Sequence, residues 1–497
     1  MKLTPTKEQK KIIDGCLNEK ASRIFAFAGA GKTATLKMIA DSSKVLLGNK
    51  CQGLYLAFNK SVATYAQKLF PPHIDCRTMH SLAFKGCPDW LTGKLGGARM
   101  RLSDYQRHYQ IEDYEAVTND GKLIELTSID IGRILVNSVM SFCRSKNDRI
   151  LNHHVRLNPI LDRDKNEHLI NGLLKPIARH WEDSVSPECQ FGISHDIYLK
   201  YYSLTNPKLE ADFILFDEAQ DADPVIRSII EQQKKHSKIV TVGDPHQQIY
   251  SWRGSQDAMH IMQGKEFYLT KTFRFGEEIA NLANAILRKL GEPKKIVHNG
   301  TKGNVEWGVP FDYENGGILC RTNKAAFRKY IGMYEKYDDV SLNINHDDIE
   351  SFLSGAEKLM NGRRAYSPEM LSLFRTWGEV VDYANTGAGT DIAYIVDLIE
   401  KLGVPTLKTA LKLSRKKNAA LTISTIHKAK GLEWDNVAID QDFTFTRNKK
   451  KQIELDDEEK RLLYVACTRA KINLNVSEIA ENLCEFIGWR LIRAKRV

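Results

Sequence analysis

Short apolar runs that end in polar clusters recur along this chain, and they alternate with stretches whose apolar positions repeat every three or four residues. Ile24–Ala28, Leu54–Phe58, Phe213–Phe216, Lys238–Val242, Gly317–Cys320 and Leu421–Thr425 predict short strands, most of them apolar throughout and so buried on both faces. Ser61–Leu69, Ile131–Arg144, His168–Trp181, Lys324–Tyr337, Asp391–Leu402 and Thr406–Leu413 carry the helical repeat. Strands alternating with helices predict an α/β chain built on parallel sheets. The alternation is broken twice, over residues 86–205 and 331–415, which read as helical insertions. The expected plan is a first lobe from 1–85 and 206–270, and a second from 271–330 and 416–497. Whether the first insertion merely stabilises its lobe or also grips a ligand is open at this level.

The polar ends of the runs carry the chemistry. After the first strand comes Gly29-Ala30-Gly31-Lys32-Thr33. Two glycines let successive N–H groups turn inward on a phosphate, and the helix that follows adds its positive end. Lys32 reaches the β- and γ-phosphates and the Thr33 hydroxyl takes one position on Mg²⁺. The strict phosphate-loop pattern would have glycine where this chain has Ala26, so the match on pattern alone is incomplete. Phe213–Phe216 ends in Asp217 and Glu218, two carboxylates where ligands of open α/β sheets bind. Asp217 is suited to hold Mg²⁺ through its waters and Glu218 to activate an attacking water. About 185 residues separate Lys32 from Asp217, more than a compact crossover needs, which is the reason for reading 86–205 as inserted.

Phe58, Asn59 and Lys60 close the second run, and Thr78 and His80 lie at another strand end. Each has a structural reading; together they offer stacking and phosphate-binding groups at one edge. Gln247 follows the strand at 238–242 and Tyr250 and Trp252 come a few residues later, a spacing that would link nucleotide state to a base-stacking face. Gln9 lies about twenty residues before the phosphate loop, where its amide suits an adenine edge as well as a solvated helix face. Arg461–Ala470 reads as a helix carrying Arg469 toward a phosphate.

Composition narrows the picture. No apolar run approaches the roughly 20 residues of a membrane span, and no apolar signal core opens the chain, so the expected location is cytoplasmic, or nuclear in a eukaryote. Nine cysteines without ligand spacing argue against a zinc, iron–sulfur or disulfide framework. The net charge of +10 suits a polyanion, or simply solubility.

Taken in order, A-x-x-G-x-G-K-T, L-A-F-N-K, T-M-H-S, D-E-A-Q-D, G-D-P-x-Q-Q-I-Y-x-W-R-G, T-F-R, H-K-A-K-G-L-E-W and Y-V-A-C-T-R-A resemble the UvrD/Rep-like superfamily 1 DNA helicases. The wording of S-T-I-H-K-A-K-G-L-E-W-D and the Ser194–Lys200 segment look most like the helicase region of the F-box DNA helicases. Ala26 then ceases to be a departure, since alanine is common there in that family. The resemblance implies two RecA-like P-loop NTPase lobes, each with a mostly helical inserted domain, and ATP with Mg²⁺ as cofactors. It implies that Gln9 and Phe273 hold adenine and that Ala28, Gly29, Ala30, Gly31, Lys32, Thr33 and Ala34 cradle phosphates. Thr33 and Asp217 hold the metal, Glu218 is the base, Gln247, Arg274 and Arg469 sense or stabilise the γ-phosphate, and Glu433 contacts the sugar. Phe58, Asn59, Thr78, His80, Tyr250, Trp252 and His427 contact single-stranded DNA.

The expected activity is 3′→5′ translocation on single strands and opening of tailed duplex DNA. Two rivals are a translocase that strips bound proteins, such as a recombination protein, and a DNA-sensing ATPase subunit of a nuclease. Two departures qualify the likeness. No F-box precedes Gln9 in this chain, so ubiquitin-ligase assembly is not carried over, and about 100 residues between Arg321 and His427 predict a small second-lobe insertion.

Overall fold

A computed structural model describes residues 4–489 apart from 251–256, 312–314, 335, 338, 366, 369, 372–373, 386–389 and 417–418. The chain forms two compact units, the first from Met1–Ala26 and Gly31–Leu269, the second from Phe27–Ala30 and Thr270–Val497.

The strands of the first unit are β1 (Ala21–Ala26), β2 (Gly53–Ala57), β3 (Ile74–Thr78), a hairpin of β4 (Glu115–Val117) and β5 (Leu123–Glu125), then β6 (Phe213–Phe216), β7 (Lys238–Gly243) and β8 (Lys265–Leu269). Six of them form one sheet in the order β3-β2-β6-β7-β1-β8, parallel at every pairing. Every residue of β2 and β6 is buried, as their unbroken apolar runs require, since a parallel sheet is covered on both faces. β1 stops at Ala26, two residues short of the apolar run. The Ala30 N–H turns back to the Phe27 carbonyl at 3.0 Å, which draws Phe27 and Ala28 into the turn.

Helices Ser128–Arg144 and Glu167–Ser184 dominate residues 86–205. Thr127 and Asp130 close a capping box on the first of these. Their buried faces do not make a core of their own. Ile131, Leu135, Leu173 and Ile177 belong to the same apolar cluster as Leu54, Leu56, Ile214 and Phe216 of the sheet. Lys200, whose side chain is fully buried, donates to the Ser145 and Asn147 carbonyls and so ties the end of helix Ser128–Arg144 to helix His195–Leu204.

In the second unit β9 (Asn304–Glu306), β10 (Gly316–Cys320), β11 (Val340–Asn343), β12 (Leu421–Thr425), β13 (Trp434–Ile439) and β16 (Ala470–Asn475) form another six-stranded sheet, order β11-β12-β10-β13-β16-β9. Its pairings are all parallel. β14 (Thr446–Arg447) and β15 (Ile453–Glu454) make a separate exposed hairpin. β11 corrects the helical reading of its stretch: Val340, Leu342 and Asn343 pair with Leu421, Ile423 and Ser424. The helices between β11 and β12 share their core with the sheet, Leu353, Ile395 and Leu407 lying in one cluster with Ile318, Leu342 and Ile423. All nine cysteines are free, and among the described residues no helix is long and apolar enough to cross a membrane.

Candidate nucleotide site and strand-binding groove

In the first unit every described side chain that the sequence predicts, other than Gln9, follows or ends the C-terminal end of a strand, the edge where parallel α/β sheets bind ligands. Strand order sorts them. Lys32, Asp217, Glu218 and Gln247 follow β1, β6 and β7, which are neighbours, whereas Phe58, Asn59, Thr78 and His80 cluster at β2 and β3.

Gly31 is the N-cap of helix Lys32–Leu47 at φ 79°, in the left-handed region, and makes no side-chain cap. The first-turn N–H groups of Thr33 and Ala34 thus have no capping side chain, which is the donor set an anion takes. Lys32 Nζ lies 2.6 Å from Glu218 Oε1. Burial works against the charge on Lys32, but Glu218, Asp217 and Asp244 outweigh it and raise its pKa, so the ammonium is firmly charged. Glu218 itself sits at φ 50°, a strained position for a residue with a Cβ, and its other oxygen accepts from Gln220 Nε2 at 2.5 Å.

Asp217 is buried and accepts from the Tyr55 hydroxyl at 2.7 Å and from the Glu218 N–H at 2.9 Å. Its pKa is pushed up to about 6 by burial and by the Glu218 charge, with Lys32 and the Tyr55 hydrogen bond pulling the other way. A carboxylate so disfavoured by desolvation suits a cation, and with the exposed Thr33 hydroxyl it forms an all-oxygen donor set of the hard type Mg²⁺ prefers. Gln220 joins the strand ends: its Oε1 accepts from the Asp244 N–H at 3.1 Å, and Gln247 Nε2 donates to Asp244 Oδ2 at 2.7 Å. Tyr55, Gln220 and Asp244 were not among the predicted residues. Tyr55 reads as core in an apolar strand, and Gln220 and Asp244 lie inside motifs where neither the amide nor the carboxylate suggests a structural link.

Gln9 is buried, accepts from the Thr6 N–H at 2.9 Å and donates to Thr35 Oγ1 at 3.1 Å, one turn into the phosphate-loop helix. It is therefore a capping residue joined to that helix, and not a solvated one.

Phe58, Asn59, Thr78 and His80 come together along an open groove of about 870 Å³. Arg77, Phe84, Lys85, His195 and Tyr198 complete its walls, placing cations beside exposed rings. Phe58 stacks with Tyr250, centroids 6.1 Å apart and planes 12° from parallel. Asn59 and Thr78 serve as N-caps, Asn59 Oδ1 accepting from Val62 N at 2.9 Å and Thr78 Oγ1 from Ser81 N at 3.1 Å. His80 Nε2 lies 3.9 Å from Asp196. Burial opposes ionisation of Asp196, but His80 and Arg144 hold its carboxyl below the usual range. Trp252 lies outside the described residues.

The second unit contains the remaining predicted residues. Helix Asp457–Cys467 ends before Thr468, so Arg469 is not on a helix as the sequence reading had it; it sits in the turn leading into β16. The Thr468 hydroxyl donates to the Tyr464 carbonyl at 2.8 Å and closes that helix end. Arg469 is 2% exposed and donates to the carbonyls of Val465 at 3.0 Å and Leu432 at 3.4 Å. Arg274 pairs with Glu433 at 2.7 Å and donates to the Thr468 carbonyl at 2.9 Å, so three predicted residues lie around one turn. Phe273 is half exposed, and its N–H donates to the Gly29 carbonyl at 2.8 Å. The Ala28 N–H donates to the Tyr464 hydroxyl at 3.1 Å. Gly29 is at φ 71°, and a Cβ there would lie 2.5 Å from Thr272 Oγ1, so glycine is required twice over. His427 lies on the short helix Ile426–Ala429, capped by Thr425.

A phosphate-loop α/β unit with paired carboxylates on the next strand but one has the architecture of the P-loop nucleotide-binding class. Comparison with known proteins narrows this: the chain belongs to the UvrD-like helicase family. Residues 211–481 match the UvrD-like helicase C-terminal domain and residues 9–253 match an AAA domain. F-box DNA helicase 1 of Gallus gallus is 30% identical over 542 residues, covering 99% of this chain and 50% of that protein. F-box DNA helicase protein 1 of Schizosaccharomyces pombe is 28% identical, covering 96% of this chain and 58% of its own. DNA helicase IV of Escherichia coli is 25% identical over 27% of this chain and 21% of its own. The chain spans about half the length of the F-box relatives it matches.

Proposed function

We propose that this chain is an ATP-dependent DNA helicase and translocase that moves 3′→5′ on single-stranded DNA and opens tailed duplexes in repair, recombination or defence. The observation that carries the reading is the Lys32–Glu218 pair, braced by Gln220 and set beside the buried Asp217, on the same sheet edge as the groove of Phe58, Arg77 and His80.

Bound ATP with Mg²⁺ supplies the phosphoanhydride whose hydrolysis drives movement. Lys32 and the N–H groups of Gly31, Thr33 and Ala34 would hold phosphate oxygens, those of Ala28 and Ala30 being taken by the Tyr464 hydroxyl and the Phe27 carbonyl, and Thr33 and Asp217 would hold the metal. Glu218, positioned by Gln220, takes the proton of the attacking water. Gln247 reports phosphate state through Asp244 and Gln220, and Arg274 and Arg469 stabilise the charge that develops on transfer. Glu433 contacts the sugar, and Gln9 and Phe273 the base. Phe58, Asn59, Thr78, His80, Tyr250, Trp252 and His427 hold the strand, each stacked base contributing about 1–3 kcal/mol, enough for a grip that each cycle can release.

The test is Glu218→Gln. DNA-stimulated ATP hydrolysis should fall by about 10²–10⁴ with nucleotide binding retained. Hydrolysis at the wild-type rate would remove Glu218 as the base and overturn the reading.

A further inference from the structure

The opposite edge of the first sheet carries a second concavity. An open cleft of about 680 Å³ is lined by Lys20, Lys50, Lys234, Lys235 and Lys238, with Asp212 the single carboxylate. These lysines sit in the segments that enter β1, β2 and β7, and Asp212 directly precedes β6. β2, β6, β7 and β1 are consecutive neighbours in the sheet, so the cleft runs across the N-terminal ends of its four middle strands. Asp212 does not neutralise the row: its Oδ2 accepts from the Gln52 N–H at 2.7 Å and holds the loop.

Among the described residues, none of the five lysines has a carboxylate within ion-pair distance. Two other lysines of the first unit, Lys37 and Lys265, pair with Asp41 and Glu19. Five like charges around one open depression raise a local positive potential that attracts a polyanion. The charge cannot serve the nucleotide site. The six residues of β1 separate the two edges by about 17 Å, about twice the physiological Debye length.

We infer that this cleft is a second DNA-backbone site, separate from the groove at the opposite edge. Four neighbouring strands span about 14 Å, and phosphates of one strand of a duplex rise 3.4 Å apart, so about four phosphates would face the five lysines. The lining carries five lysines and a single ring, His236, whose Nε2 lies 3.3 Å from the Leu209 carbonyl, a balance that fits backbone contact and not base reading, in contrast to the ring-lined groove. The inference rests on the reading of this chain as a DNA motor; for such a motor the second site would hold DNA outside the groove.

The experiment compares the full chain with a K50Q/K235Q/K238Q variant and its arginine counterpart. Binding of a blunt duplex and of a long single strand is measured across salt, and ATPase is measured with a short single-stranded oligonucleotide that fills only the groove. For the glutamine variant, the slope of log affinity against log salt should flatten by up to about 2.7 on duplex DNA, or about 2.1 if single strands are the occupant. Oligonucleotide-stimulated ATPase should stay at the wild-type level, and the arginine variant should restore the slope. An unchanged slope on both DNAs, or failure of arginine to restore it, overturns the inference. Failure of the motor reading looks different, because wild-type ATPase would then ignore DNA altogether.

Discussion

Asp217 is the residue at which folding and chemistry oppose each other. An acid whose pKa rises on folding, here from 3.8 to about 6 through burial and the Glu218 charge, makes the native state less stable as pH rises through that interval. The penalty is full above about 6 and absent below 3.8. Asp217→Asn should therefore stabilise the nucleotide-free protein more at pH 7.5 than at pH 4.5, by an amount on the order of 1–3 kcal/mol at the higher pH, seen as a larger rise in thermal midpoint. It should also abolish Mg²⁺-dependent hydrolysis. Equal effects at the two pH values, measured by thermal unfolding, would show that the carboxyl is not titrating as its surroundings imply. Lys32, Thr33, Asp217 and Glu218, which the sequence singles out because phosphate and metal chemistry would admit few residue types at few spacings, come together at neighbouring strand ends. Tyr55, which donates to Asp217, was not, because in one dimension a tyrosine in an apolar strand is indistinguishable from core.

At the scale of elements, two groove residues have a double duty. Asn59 caps helix Lys60–Leu69 and Thr78 caps helix Met79–Gly86, each at the mouth of the groove. A polar residue at a strand end was read as a ligand contact when it is also a helix start, and one signal carries both meanings. Substitutions separate them. Asn59→Ala should cost about 1 kcal/mol of stability through loss of the cap. Asn59→Asp keeps the cap but places a carboxylate beside Arg77 and Lys85, so stability should hold while single-strand affinity falls. Denaturant unfolding and fluorescence anisotropy with an oligonucleotide read the two effects; if Asp binds DNA as well as Asn, residue 59 is a cap alone. Arg469 shows the complementary limit. The apolar repeat through Tyr464 and Ala466 continues smoothly, but pairing of the next strand with β13 ends the helix at Cys467. Strand β11 was missed for a similar reason, since only its pairing with β12 distinguishes four residues of strand from the helix they follow.

At the scale of the molecule, directionality is the property with least support in any single residue, so it needs its own measurement. The proposal predicts unwinding of a duplex with a 3′ single-stranded tail and none with a 5′ tail. The reverse pattern would keep the motor and invert its direction, and displacement of bound protein without unwinding would favour a stripping role.

The sequence alone determined the α/β class, the parallel strands, the phosphate loop with its carboxylate partners and the family resemblance, because backbone periodicity and phosphate chemistry are local constraints written over a few residues. What only the tertiary structure decided is adjacency. Strand order places β7 between β6 and β1 and β2 between β3 and β6, which sets the candidate nucleotide residues apart from the groove residues and lets Tyr55 of β2 and Gln220 brace the carboxylates. It also draws lysines from three distant segments of chain into one cleft. Adjacency is set by which apolar faces bury together, and segments some 200 residues apart leave no local trace of that choice.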